Sequence, residues 1–100
     1  MTDAVRDNPA RHRFELDADG DIAFANYRRD GSVLTVMHTE VPKRLEGHGI
    51  GSRLVAGALD IARAQGLTVV PRCSFVKAYI KRHPAYADLL AGPPVSASKS

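Results

Sequence analysis

With 100 residues, 44% of them hydrophobic and 25% charged, the chain has the balance of one small soluble domain built on one core. No apolar run approaches the roughly 20 residues that span a bilayer, and the opening residues lack the apolar stretch of a secretory leader. A cytoplasmic location is therefore expected. The single cysteine, Cys73, excludes an intrachain staple and fits a reducing compartment. A formal charge of +3 suits a small anionic ligand better than nucleic acid, which needs a denser basic stripe. No nucleic-acid or membrane partner is expected, and the size fits a monomer or weak dimer.

Residues 1–10 are polar, close on Asn8-Pro9, and read as a loose arm. From Arg13 to Asp17 charged and apolar residues alternate, as in a half-buried strand. Asp19-Gly20 turns the chain into a second alternation, Ile22 to Tyr27, and Asp30-Gly31 turns it into a third, Ser32 to Val41. Asp-Gly between alternating runs marks a hairpin, because both turn residues tolerate positive φ. A three-strand antiparallel meander is predicted.

From His48 to Gln65 the period becomes helical. Ile50, Leu54, Ala58 and Ile61 form a stripe that Val55, Leu59 and Ala62 widen, and Gly66 stops the helix. Leu67 to Val70 is short and β-branched and reads as a buried strand closed by Pro71. Strand, helix and strand imply a right-handed crossover, with this fourth strand parallel to the third. Ser74 is placed to cap a second helix, Phe75 to Arg82, with Phe75, Val76, Tyr79 and Ile80 on its apolar side. The expectation is an α/β chain with a mixed sheet, a domain over residues 11–91 and a disordered tail over 92–100.

The stretch His38 to Gly51 organises the rest. It ends a strand, breaks at Pro42 and enters the first helix through Gly47, Gly49 and Gly51. Amides at such a helix start have no helical partner, and the helix dipole adds partial positive charge. Glycines let a bulky anion approach the backbone, so the turn reads as a phosphate or diphosphate cradle. A P-loop would need a lysine in register before Ser52, and a dinucleotide fingerprint would need different glycine spacing. One cysteine and scattered histidines give no metal-ligand spacing.

Arg44-x-x-Gly47-x-Gly49, after a strand and before a helix, resembles the coenzyme A loop of the GNAT acetyltransferase superfamily. The likeness extends through His38-Thr39-Glu40-Val41-Pro42, Gly47 to Arg53, Pro71-x-Cys73-x-Phe75 and Tyr79-Ile80-x-x-His83-Pro84, and is nearest to the minimal, single-domain branch. It covers Val33 to Tyr86. The resemblance implies a mixed sheet whose third and fourth strands splay apart, with acetyl-CoA as cosubstrate. The pantetheine arm would pair with backbone at Glu40 and Val41. The diphosphate would sit on amides from Arg44 through Gly47, His48, Gly49, Ile50 and Gly51 to Ser52. Tyr79 could be core or could flank the coenzyme, and is read from the sequence itself as core on one face with its hydroxyl at the site. The sequence departs from larger relatives at Asp19-Gly20, which leaves no room for the helices that shape their acceptor site.

Cys73 and His38 stand near the ends of neighbouring strands. A thiol at a helix start can have a lowered pKa, and an imidazole nearby can take its proton. The alternative is a buried cysteine as small filler and a hydrogen-bonded strand histidine. In the minimal GNAT branch the residues matching both are candidates for catalysis. The leading reading is an acetyl-CoA-dependent N-acetyltransferase acting on an amine. A coenzyme A-binding module with little turnover stands second, and a basic nucleic-acid adaptor third.

Overall fold

A computed structural model describes residues 5–90. Five strands lie in sequence order: β1 Arg6–Asn8, β2 Arg13–Ala18, β3 Asp21–Asp30, β4 Val33–Glu40 and β5 Thr68–Pro71. The first four pair antiparallel, and β5 joins β4 in parallel after the crossover helix α1, Ile50–Ala64. Helix α2, Ser74–Arg82, follows β5. The mixed sheet and both helices agree with the expectation from sequence.

Residues 6–10 differ from it. They were expected within the loose arm, yet Arg6–Asn8 pairs with Arg13–Glu15 as an edge strand, and Pro9–Arg11 forms a single 3-10 turn; residues 1–4 of that arm lie outside the described residues. Side chains hold this polar strand in place. Arg6 meets Asp17 at 2.8 Å and Glu15 at 2.9 Å, and the Tyr27 hydroxyl donates to Asp7 at 2.6 Å. The tail at 92–100 lies outside the described residues.

The sheet buries one face. Phe14, Leu16, Ala23, Ala25, Tyr27, Leu34, Val36 and Val69 share it through the strand register and are all buried. Helix α1 crosses all five strands and offers Leu54, Val55, Ala58, Leu59 and Ala62 as its buried stripe. The expected amphipathic period is the cause: residues three and four apart stack on one side of the helix. On the opposite face Ile22, Arg28, Val33, Met37 and His38 are exposed.

Two irregularities in β4 position the site. Asn26 pairs with His38 and Tyr27 with Val36, so Met37 is the extra residue of a β-bulge. At the same level β5 leaves: the parallel ladder ends at Val36 and Pro71, and the Val36 carbonyl accepts from the amides of both Arg72 (2.9 Å) and Cys73 (3.1 Å). Beyond Val36, β4 runs on without β5 beside it. The third and fourth predicted strands therefore do part, as the GNAT resemblance implied.

Candidate active site

The loop from β4 to α1 is built by proline and glycine. Pro42 precedes one 3-10 turn, Lys43–Leu45, which buries Leu45. Gly47 and Gly49 then take φ of 85° and 76°, a region that side chains with a Cβ resist. Gly49 occupies the N-cap of α1 and has no side chain with which to cap it, and the first helical turn has no acidic residue. The first bond of the helix runs from the Arg53 amide to the Gly49 carbonyl at 3.1 Å. The amides of Ile50, Gly51 and Ser52 precede it and have no intrahelical acceptor. A Cβ added at Gly47 or Gly49 would meet nothing within 4 Å, so both positions border open space. Free N–H groups, the helix dipole and room for a large group fit a diphosphate.

This helix start opens on a cleft of about 450 Å³. Val41, Gly47, Gly49, Ile50, Gly51 and Ser52 line it, together with Thr39, Leu45, Glu46 and Phe75, which the sequence did not single out. Gly51 sits beneath the Phe75 ring, whose Cζ lies 3.0 Å from where a Cβ would stand. Phe75 was expected on the buried side of α2. It is instead 39% exposed, because the first turn of α2 overhangs the gap that β5 leaves beside β4. The remaining apolar residues of α2, Val76, Tyr79 and Ile80, are buried as expected.

Cys73, not Ser74, takes the N-cap position of α2. Its Sγ lies 3.4 Å from Thr39 Oγ1, bridging the gap between the separated strands. Burial of the thiol opposes ionisation, but hydrogen bonding with Thr39 and the amides of Val76 and Phe75 outweighs it, and the pKa falls below the ordinary thiol value. His38 is not part of this contact. It neighbours Thr39 in a regular stretch of β4, so the two side chains leave opposite faces of the sheet. His38 Nε2 instead meets Glu40 Oε1 at 2.9 Å on the exposed face. The parallel pairing that could have brought His38 beside Cys73 ends two residues too early.

Arg44 turns away from the cleft. Its guanidinium bonds Asp21 at 2.8 Å, the Asp19 carboxylate at 3.1 Å and the Asp19 carbonyl at 2.6 Å. It ties the cradle to the β2–β3 turn. The His48 side chain is exposed, which leaves only its backbone to the loop. Tyr79 is buried and stacks on His83 with ring centroids 4.1 Å apart; Phe75, one turn earlier, is the α2 residue in the cleft wall. Thr39 has no distinguishing signal in sequence, since threonine is ordinary in strands. Phe75 could have been found from its position two residues after Cys73, at the open end of its helix.

Residues 13–89 match the family described as GCN5-related N-acetyl-transferase. The fold is also similar to the NMR solution structure of a GCN5-like candidate N-acetyltransferase from Staphylococcus aureus. That likeness has a TM-score of 0.68 at 26% identity and covers 94% of each chain. The family match spans the meander, the glycine turn and the Cys73 helix together, and the chain belongs to the GCN5-related N-acetyltransferases, a family of acyl-transferring enzymes.

Proposed function

We propose that the protein transfers an acetyl group from acetyl-CoA to an amine. The observation that carries this reading is the uncapped start of α1, which opens on a cleft that runs to the parting of β4 and β5. The coenzyme's diphosphate would rest on amides between Arg44 and Ser52. Its pantetheine arm would lie along β4 at Glu40 and Val41, where β5 no longer pairs. The Val41 amide is suited to hold the thioester oxygen as it gains charge.

Two side chains supply the remaining chemistry from opposite faces of β4. In the tautomer that donates Nε2–H to Glu40, His38 keeps Nδ1 free to take a proton from the incoming amine. Cys73, with its lowered pKa and its Thr39 partner, can accept the acetyl group as a thioester while the C–S bond to the coenzyme breaks. The amine nitrogen then forms the amide bond, and the cysteine leaves as thiolate. Incubating the protein with acetyl-CoA and no acceptor, then measuring intact mass, tests this route. The expected result is an acetyl adduct that is absent from Cys73→Ser and is discharged by an added amine. Undiminished turnover in Cys73→Ala would contradict the covalent step. Absence of amine-dependent release of coenzyme A across a broad amine panel would contradict transferase activity itself.

A further inference from the structure

The exposed face of the sheet has its own concavity, of about 650 Å³, walled by Arg28, Asp30, Val33, Thr35, Met37 and Arg72. It lies on the other side of the sheet from the cleft at the start of α1, and the two share no lining residue. Met37 is the bulge residue of β4, and Arg72 is the first residue after β5, anchored by its amide to Val36. The cleft reaches Thr39 and the groove reaches Met37, so the two approach the same parting of β4 and β5 from opposite faces. His38 and its Glu40 partner stand on the groove's face.

Arg6, Arg13, Arg44 and Arg63 each pair with a carboxylate, and Arg29 bonds the Gly31 carbonyl and Gln65. Among the described residues the Arg28 and Arg72 guanidinium groups, like those of Arg11 and Arg82 elsewhere, have no hydrogen-bonding or ionic partner. Both line this one groove, against a single acidic residue, Asp30, at its far end beside Val33. Arg28 pairs with Thr35, two residues from Met37, which sets it about 7 Å along the strand from the mouth.

We propose that this groove is the acceptor site and that it takes a small amine carrying a carboxylate, with Arg28 binding the carboxylate and the amine lying at Met37 and Arg72. The inference rests on the acetyl-CoA reading above. Arginine matches a carboxylate with two parallel N–H donors. At the mouth, the Arg72 charge disfavours the protonated amine and so favours the neutral nucleophile that acetyl transfer requires. A polyamine, with cations at both ends, meets two unpaired arginines and is disfavoured. The neutral nitrogen forms the C–N bond as the thioester C–S bond breaks, and its displaced proton passes to His38.

The test compares 4-aminobutyrate, butylamine and putrescine as acceptors with acetyl-CoA, reading release of coenzyme thiol. The preference for 4-aminobutyrate over butylamine in kcat/KM should be about 10-fold to 100-fold, the worth of a charge-assisted hydrogen bond. Arg28→Gln should lose that preference through KM. Equal use of all three amines, or preference for putrescine, would overturn the proposal. A second arm needs no turnover: the product analogue 4-acetamidobutyrate should shift the Met37 methyl resonance of the wild type and not that of Arg28→Gln. An unmoved Met37 resonance overturns the acceptor site even where calorimetry shows that coenzyme A binds. Failure of coenzyme A to bind counts against the acetyl-CoA reading alone.

Discussion

The Cys73 thiol and the Thr39 hydroxyl face each other at 3.4 Å across the gap where β5 has left β4. Thr39 can turn its hydroxyl to donate to a thiolate, so it stabilises the charged form of the sulfur together with the amides of Val76 and Phe75. Removing the hydroxyl should therefore raise the Cys73 pKa. Thr39→Val is expected to move the pH profile of Cys73 alkylation to higher pH and to slow alkylation at neutral pH, while Thr39→Ser retains both. An unchanged profile in Thr39→Val would leave the helix amides as the whole cause.

His38 stands on the other face, bonded to Glu40 and well exposed. In its proposed role of general base toward the amine it should contribute roughly 100-fold to 10,000-fold in rate. His38→Ala is expected to lower kcat with coenzyme A affinity unaltered, and Glu40→Gln to give a smaller loss by releasing the imidazole. Steady-state rates alongside calorimetry separate the two effects.

Arg44 acts on the cradle from outside the cleft. Its bonds to Asp19 and Asp21 are exposed, and surface pairs of this kind contribute little to stability. Arg44→Ala should leave the melting temperature nearly unchanged and weaken coenzyme A binding several-fold, less than either glycine substitution. Asp19→Asn with Asp21→Asn should reproduce the loss, because the same tether is cut from the other end.

Glu15 is the one buried charged residue among those described, 3% exposed, and it accepts from Arg13 at 2.7 Å and Asn8 at 3.1 Å. The Arg13 bond outweighs desolvation and holds its pKa below the ordinary value. A carboxylate with a lowered folded pKa stabilises the protein above its unfolded pKa of about 4.3, and that contribution is lost as pH falls through the folded value. Glu15→Gln should cost about 1–3 kcal/mol at neutral pH. The gap between thermal melts of the two proteins should narrow as pH falls below the unfolded value of about 4.3 and close below the lowered folded one.

The parts of the fold readable in sequence are those with strong local chemistry. Asp19-Gly20 and Asp30-Gly31 gave the hairpins, the Ile50 stripe gave α1, and the glycines after Pro42 gave the turn into its uncapped start. The edge strand β1 was missed because Arg6-Asp7-Asn8 is polar and its side chains are held by partners 7 to 20 residues away, Glu15, Asp17 and Tyr27. The bulge at Met37 was missed for a related reason. Its only local trace is that buried positions shift phase after Val36, and histidine and threonine disguise that shift. That bulge separates His38 from Cys73, so their association could not be judged without register. The pairing of Phe75 with Gly51 is likewise a tertiary contact between helix starts.

The most direct measurement is calorimetric titration of coenzyme A into the wild-type protein and into Gly49→Val. Gly49 holds φ at 76°, where a β-branched residue costs about 1–2 kcal/mol, and its substituent would stand at the helix start proposed to hold the diphosphate. The account predicts a saturable heat with one site per chain in the wild type, and its loss in Gly49→Val with helical circular dichroism retained; Gly47→Val should behave alike. No heat and no thermal shift at millimolar coenzyme A, or equal binding by both glycine variants and the wild type, would contradict it.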